Sequence, residues 1–291
     1  MDLVVGATGI VGKRIAVKLR EKGRKVRAIV RGGAARAEAQ ELAGSGIEIV
    51  EADLTKPGSL PAACAGVENV ACTATSMPHG RDDGLRRVDR DGVLGLIEAA
   101  DRAKVKKFVY TSYSGNIRYD SPLETAKRDC ENKLLASSMQ AVVLRPSYFM
   151  EAWLSPALGF DPAKASARIH GSGQAKVSYI SAHDVAEFAV AAVAMSEGDR
   201  AVILELGGPE ALSQLDAVRV FEKKLGKKFT LDFVPVEALE GQYRSSDPLQ
   251  KTFGALMLGY AKGDVIGESR ANADRYGVRL RSVADYATSF H

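Results

Sequence analysis

The stretch VVGATGIVG (residues 4–12) sets Gly6, Gly9 and Gly12 between an apolar run and a segment of helical period. That arrangement suits a phosphate-binding turn. Gly6 permits the tight turn, Gly9 lets the backbone approach a pyrophosphate, and Gly12 lets the helix pack close to the strand. Amides where the helix begins, around Thr8, Ile10 and Val11, would meet the negative charge. The alternative is a Gly-rich turn without a ligand. A second stretch, SPLETAKRDCENKL (residues 121–134), carries Lys127 and Glu131 four apart on a helical pattern. On a solvated face they would form an ion pair contributing about 0.2–0.5 kcal/mol, in the less favourable Lys-before-Glu order. Whether they are that pair or half of a catalytic apparatus depends on what the rest of the chain binds.

A dinucleotide site that takes NAD carries an acidic residue about 20 residues further on, which holds the ribose 2′-hydroxyl. This chain has VRAIVRGG (residues 26–33) there, with Arg31 in that place. A guanidinium pairs with a 2′-phosphate, Gly32 and Gly33 leave room for it, and Arg36 adds a second cation. The expected cofactor is NADP(H); the alternative is that Arg31 merely decorates a strand end. Asp53 and Leu54, in EADL, are expected to edge the adenine. Thr73, Ala74 and Thr75, in CTATS, are expected near the ribose and pyrophosphate, and Thr111 ends KKFVYT. All follow strands, and ligands of open α/β sheets lie beyond the carboxyl ends of the strands.

Such a site needs a parallel sheet to carry it. DLVV, KVRAIV, IEIVE, NVACT, KKFVYT and AVVLRP have the composition of strands. Between them, Val11, Ile15 and Leu19 share one helix face, with Gly23 as a stop, and Leu85, Val88, Val93, Leu96 and Ala100 share another. This alternation predicts an α/β fold of Rossmann type, a doubly wound parallel sheet with helices on both faces. After Pro146 the pattern becomes irregular and rich in aromatic, Gly and Pro residues. AHDVAEFAVAAVA then predicts a helix and AVILELGG a strand, both returning to the sheet. From Ser213, SQLDAVRVFEKKLGKK predicts a capped amphipathic helix, followed by the strand FTLDFVP and mostly helical sequence. The predicted organisation is an NADP(H)-binding domain over residues 1–150, completed by 183–208. A smaller, discontinuous α/β substrate or partner lobe takes 151–182 plus 209–291.

The 291 residues carry a formal charge of +4. That modest excess suits an anionic small molecule better than DNA, and no basic stripe interleaved with aromatics points to nucleic acid. No apolar run has the length of a membrane span, and the first residues do not read as a leader. Cys64, Cys72 and Cys130 have no ligand spacing, which predicts three reduced thiols in a cytoplasmic protein. His79, His170, His183 and His291 form no metal motif, and no metal is expected.

GATGIVG, VRAIVR, EADL, FVYTSYSG, TAKRDCENKL, VVLRPSYFMEAW and ISAHDVAEFA follow one another over the first two thirds of the chain. Taken together they make it resemble the short-chain dehydrogenase/reductase superfamily, and more closely its atypical NmrA-like branch. That branch includes NADPH-dependent isoflavone-reductase-like enzymes, quinone reductases and triphenylmethane dye reductases. It also includes redox-sensing regulators that bind the dinucleotide without evident turnover. The superfamily's usual helix carries Tyr-x-x-x-Lys, in which tyrosine donates the proton and lysine holds the nicotinamide ribose and lowers the tyrosine pKa. Here the residue four before Lys127 is Leu123. The resemblance thus implies a ribose-contacting Lys127 without the tyrosine. Tyr113, with Ser112, follows the fifth strand in the superfamily's Ser/Thr region and is a candidate to replace the acid. Pro146 ends the sixth strand, and Tyr148 and Phe149 follow it, where the family's backbone meets the carboxamide; Tyr148 is a further candidate acid or a lining residue. Asp184 reads as a helix N-terminal carboxylate rather than half of a dyad with His183. Trp153, Phe149, Met150 and Phe160 are expected to line an apolar substrate cleft or to pack the lobe.

The implied function is an NADPH-dependent reductase passing a hydride to an apolar conjugated acceptor such as a quinone, enone or dye-like molecule. The alternative is a non-catalytic NADP(H)-binding redox sensor acting through a protein partner. Either would be a monomer or homodimer with no direct contact to nucleic acid or membrane.

Overall fold

The computed structural model of the chain describes residues 1–77, 83–195 and 199–290. The apolar runs form strands β1 (Asp2–Val5), β2 (Val26–Val30), β3 (Glu48–Glu51), β4 (Asn69–Cys72), β5 (Lys107–Thr111) and β6 (Gln140–Pro146). Later strands are β7 (Phe160–Asp161), β8 (Ser166–His170), β9 (Lys176–Val177), β10 (Ala201–Leu206), β11 (Leu212–Ser213) and β12 (Thr230–Val234). The first-half helices are α1 (Ile10–Glu21), α2 (Ala37–Gly44), α3 (Leu60–Cys64), α4 (Val93–Arg102) and α5 (Pro122–Leu135). Then come α6 (Met150–Trp153), α7 (Ala182–Ala194), α8 (Gln214–Leu225), α9 (Val236–Tyr243), α10 (Pro248–Lys262), α11 (Ser269–Tyr276) and α12 (Val283–Ala287).

Seven strands make one sheet in the order β10-β6-β5-β4-β1-β2-β3, with β1 to β6 paired in parallel. β1, β4 and β5 are buried along their whole length, as strands covered on both faces must be. The chain lays β2 and β3 on one side of β1 and then β4 to β6 on the other. The direction of winding therefore reverses between β1 and β4, where an α/β sheet opens its ligand crevice. This is the doubly wound architecture that the strand–helix alternation predicts.

The chain divides into two compact units. The first comprises Met1–Ser112, Pro122–Leu144 and Ala186–Leu204; the second comprises Tyr113–Ser121, Arg145–Val185 and Glu205–His291. The core of the first is mostly aliphatic, with Leu3, Ile29, Leu60, Leu96 and Leu134 packed in one cluster with Phe108 and Tyr110. The core of the second is aromatic: Phe160, Phe221 and Phe229 meet with ring centroids 4.8–6.4 Å apart, and Tyr148, Trp153 and Tyr260 form another group. In this unit β8 pairs in parallel with β12 and antiparallel with β7, and β9 with β11. Helix α8 starts on the expected cap: Ser213 and Asp216 form a reciprocal capping box, and Gly226 ends the helix in the left-handed conformation.

One helix departs from expectation. The segment before α4, Leu85–Gly92, winds as a π-helix rather than an α-helix. Gly92 allows it to press on the residues after β3: a Cβ there would lie 2.7 Å from the Leu54 Cβ. Wide turns of this kind are frequent at functional sites. Among the described residues no helix is long and apolar enough to cross a membrane.

Candidate functional site

The glycine loop joins β1 to α1. Gly6 has φ +89°, a left-handed conformation that a side chain rarely adopts. A Cβ on Gly6 would meet Thr73 Oγ1 at 2.7 Å, and one on Gly12 would meet the Gly6 carbonyl oxygen at 2.2 Å. The loop is therefore pressed against the end of β4. Gly9 is the N-cap of α1, extended at φ −86°, and no side chain caps the helix. The first turn carries no acidic residue. Its amides and the positive end of the helix dipole remain available to an anion. Thr8, Gly9 and Ile10 are exposed beside them, with Ile10 59% accessible, while Val11 is half-buried. These residues fit a pyrophosphate on a ground the structure itself supplies: backbone packed too tightly for any Cβ beside a helix start with no internal cap.

Arg31 is exposed at the end of β2 and forms no ion pair among the described residues. Arg36 donates to Glu38 at 3.2 Å. Gly33 has φ +69°, and a Cβ on it would meet Glu51 Oε2 at 2.7 Å. Asp53 is turned inward on its own loop, accepting from Thr55 N–H and Thr55 Oγ1 at 2.9 Å each. Burial pushes the Asp53 carboxyl up, but the two Thr55 bonds and the charge of Arg31 outweigh it, leaving the pKa below its usual value. Leu54 is 7% accessible and belongs to the core. Thr73, the half-buried residue against the glycine loop, accompanies buried Ala74 and exposed Thr75 beyond β4.

Lys127 lies on the inner face of α5. Proline in the first turn and Glu124 near it favour that helix start. The buried positions Leu123, Ala126, Lys127, Cys130, Glu131 and Leu134 repeat at three and four. The solvated-pair reading of Lys127 and Glu131 is thus overturned: both are buried, at 5% and 2% accessible. They take different partners. Glu131 Oε1 accepts from Arg128 Nη1 at 2.6 Å, whereas Lys127 Nζ donates to the Thr111 carbonyl at 3.3 Å and stands 5.1 Å from the Tyr110 ring centroid. A buried cation needs such partners. Ser112, the next residue, is buried, with Oγ accepting from Arg128 Nη1 at 3.3 Å.

Asp89, on the π-helix, is a residue that the sequence reading missed. Its carboxylate is fully buried. Oδ1 accepts from Thr75 Oγ1 at 2.5 Å, Oδ2 accepts from the Ser76 amide and hydroxyl at 2.8 and 2.6 Å, and Lys127 Nζ lies 4.0 Å away. A signal existed: Asp89 falls midway between Leu85 and Val93, on the helix face read as apolar.

The other candidates belong to the second unit. Tyr113 is half-buried and packs against the aromatic core. Pro146 ends β6 and its carbonyl accepts from Ser114 N–H at 2.9 Å. Phe149 is half-buried, bridged to Ile180, and is the N-cap of α6. Tyr148 is 3% accessible and its hydroxyl donates to the Leu256 carbonyl at 3.0 Å. Burial holds its pKa well above the ordinary tyrosine value, with Asp264 adding to the rise. A buried phenol committed in this way is a packing residue and not a proton donor. Met150 and Phe160 are likewise core, at 0% and 4% accessible. Asp184 is the acidic residue in the first turn of α7, as foreseen, and also accepts from Arg281 N–H at 2.8 Å; Glu151 joins it at the helix start, accepting from Ser181 Oγ and Ala182 N–H. Among the described residues no group of three or more His, Cys, Asp or Glu could hold a metal; His79 and His291 lie outside them.

Comparison with known proteins follows this geometry. Photosystem II assembly factor Ycf39 of Trieres chinensis is 30% identical over 244 residues, 82% of this chain and 73% of that protein. NAD(P)H azoreductase of Xenophilus azovorans is 31% identical over 229 residues, 78% of this chain and 74% of that one. The crystal structure of the Escherichia coli NADPH-dependent quinone oxidoreductase QOR2, complexed with NADPH, has the same fold. Its TM-score is 0.81 at 23% identity, covering 100% of this chain and 99% of that one. The profile of the NmrA-like family matches residues 3–253. By that match and by these relatives, the chain belongs to the NmrA-like family.

Proposed function

We propose that this protein is an NADPH-dependent reductase that passes a hydride to an apolar conjugated acceptor, a quinone, enone or dye-like molecule. The carrying observation is the uncapped start of α1 against the Gly6–Gly12 contact, in one unit with a buried Lys127 and with Arg31, which has no ion-pair partner among the described residues. NADPH supplies the hydride when bound. Gly6, Thr8, Gly9, Ile10, Val11 and Gly12 would hold its pyrophosphate, and Arg31 its 2′-phosphate, with Arg36 in support. Asp53, Leu54, Thr73, Ala74, Thr75 and Thr111 would border the nucleotide. Lys127 would hold the ribose, oriented by the Thr111 carbonyl, and Ser112 would face the nicotinamide.

The acceptor class follows from Leu123, which replaces the usual proton-donating tyrosine. Conjugated acceptors take a hydride to give a delocalised anion, so a strong acid is less necessary than for a simple ketone. Positioning and exclusion of water then carry most of the catalysis. The azoreductase and quinone oxidoreductase relatives support this reading. Leu123 also favours a second one: a non-catalytic NADP(H) sensor acting through a protein partner, which the assembly-factor relatives support. A sensor must bind the two redox forms unequally, because equal affinity shifts no equilibrium.

Oxidation of NADPH by the purified protein against quinones, enones and cationic dyes separates the two. The reductase reading expects turnover that collapses in Lys127→Ala. Tight NADPH binding without turnover across the panel favours the sensor.

A further inference from the structure

Asp89 carries a charge deep inside the first unit, and burial without compensation is costly. Three hydrogen bonds from Thr75 and Ser76 occupy its oxygens, so the carboxylate is fixed in place. These donors belong to the loop beyond β4, which the proposed site sets beside the nucleotide. Among the described residues Asp89 is also the one carboxylate within 4.0 Å of Lys127 Nζ. Cys130, on the same helix face as Lys127, donates to the Asp89 carbonyl at 3.3 Å, which ties the π-helix to α5 at this level. Asp89 lies on the π-helical segment Leu85–Gly92, a wide turn of the kind frequent at functional sites, between the loop and α5.

The geometry points to Asp89 as a positioning residue that acts through Lys127. Its carboxylate holds the loop beyond β4 with hydrogen bonds and holds the Lys127 ammonium with its charge. The nucleotide wall and the ribose-contacting lysine therefore keep one spacing. This inference rests on the reductase reading of the same site. It assigns no proton transfer to Asp89, whose oxygens are taken by other donors. Asparagine in its place keeps the shape but loses the charge and one acceptor, so one donor of Thr75 or Ser76 would face the new amide hydrogens.

The test is a double-mutant cycle on the full chain: Asp89→Asn, Lys127→Met and both together. The readouts are kcat, KM and NADPH affinity by cofactor fluorescence. Asp89→Asn is expected to lower kcat about 10-fold or more while acceptor KM changes less than about 3-fold; with Lys127→Met already present its effect should shrink below about 2-fold. Equal losses in both backgrounds, or an undiminished kcat in Asp89→Asn, would overturn the inference. If the wild-type protein turns over no acceptor, the reductase reading fails separately. The cycle is then read in NADPH affinity, where the same non-additivity supports the inference and additivity overturns it. If Asp89→Asn does not fold, Thr75→Val takes its place, since it releases one oxygen of the carboxylate and leaves the charge. Its effect must also shrink with Lys127→Met, and an unshrunken effect overturns the inference.

Discussion

Gly12 sits so close to Gly6 that a Cβ on Gly12 would lie 2.2 Å from the Gly6 carbonyl oxygen, whereas one on Gly9 would lie 3.4 Å from it. The first distance is impossible and the second is an ordinary contact. Gly12→Ala should therefore destabilise the fold by about 1–3 kcal/mol or more. Gly9→Ala should unfold near the wild-type midpoint yet bind NADPH about 10-fold more weakly, because its methyl occupies the space above the helix start. Thermal unfolding and a fluorescence titration on both variants measure this; a Gly9→Ala protein with unchanged affinity would detach the loop from the cofactor.

Among the described residues Arg31 has no ion-pair partner to lose, so its removal should leave stability nearly unchanged. Arg31→Ala should lower the preference for NADPH over NADH by about 10-fold or more, the cost of one charge-assisted phosphate contact. Arg36→Ala should do less, since Arg36 already pairs with Glu38. Comparison of the two affinities in each variant decides it.

The central sheet was legible because β1, β4 and β5 are buried on both faces, and such strands read as near-continuous apolar runs, here broken only at their ends by Asp2, Asn69, Lys107 and Thr111. The glycine loop was legible because its chemistry lies in the backbone, where glycine spacing reports directly on geometry. Side-chain partners were not. Periodicity put Lys127 on a helix but could not say that its face was buried, since Lys and Glu four apart look the same on a surface. Asp89 was hidden for the converse reason, as a charge on a face read as apolar. Tyr148 appeared eligible as an acid because no sequence pattern reveals that its hydroxyl meets the Leu256 carbonyl, more than a hundred residues away.

His170 predicts a pH dependence of stability. It is 2% accessible and lies against Trp153 and Tyr260, with no hydrogen-bond partner for Nδ1 among the described residues. Burial lowers its pKa; a bond with Gln214 opposes this and the charge of Arg168 adds to it. The unfolded chain, with an ordinary pKa of about 6.5, takes up the proton first as pH falls. The contribution of neutral His170 is thus complete above about pH 6.5 and is lost as pH drops below it, with a slope of at most about 1.4 kcal/mol per pH unit. Urea unfolding of wild type and His170→Phe on both sides of that value should show the slope only in wild type.

The three cysteines should be inert in the native protein. All are buried and free, and burial pushes Cys64 and Cys72 up to about 11 and Cys130 up to about 12. The thiolate is the reactive form. Iodoacetamide at neutral pH should label none of them before unfolding and all three after it; rapid labelling of the native protein would contradict their burial.

The most direct test of the account is NADPH oxidation with a quinone acceptor, wild type against Lys127→Ala, each with its NADPH affinity measured alongside. The account predicts turnover by wild type and a loss of at least about 100-fold in the variant, beyond any loss explained by cofactor affinity. Equal turnover by the two proteins would contradict it by removing Lys127 from the reaction.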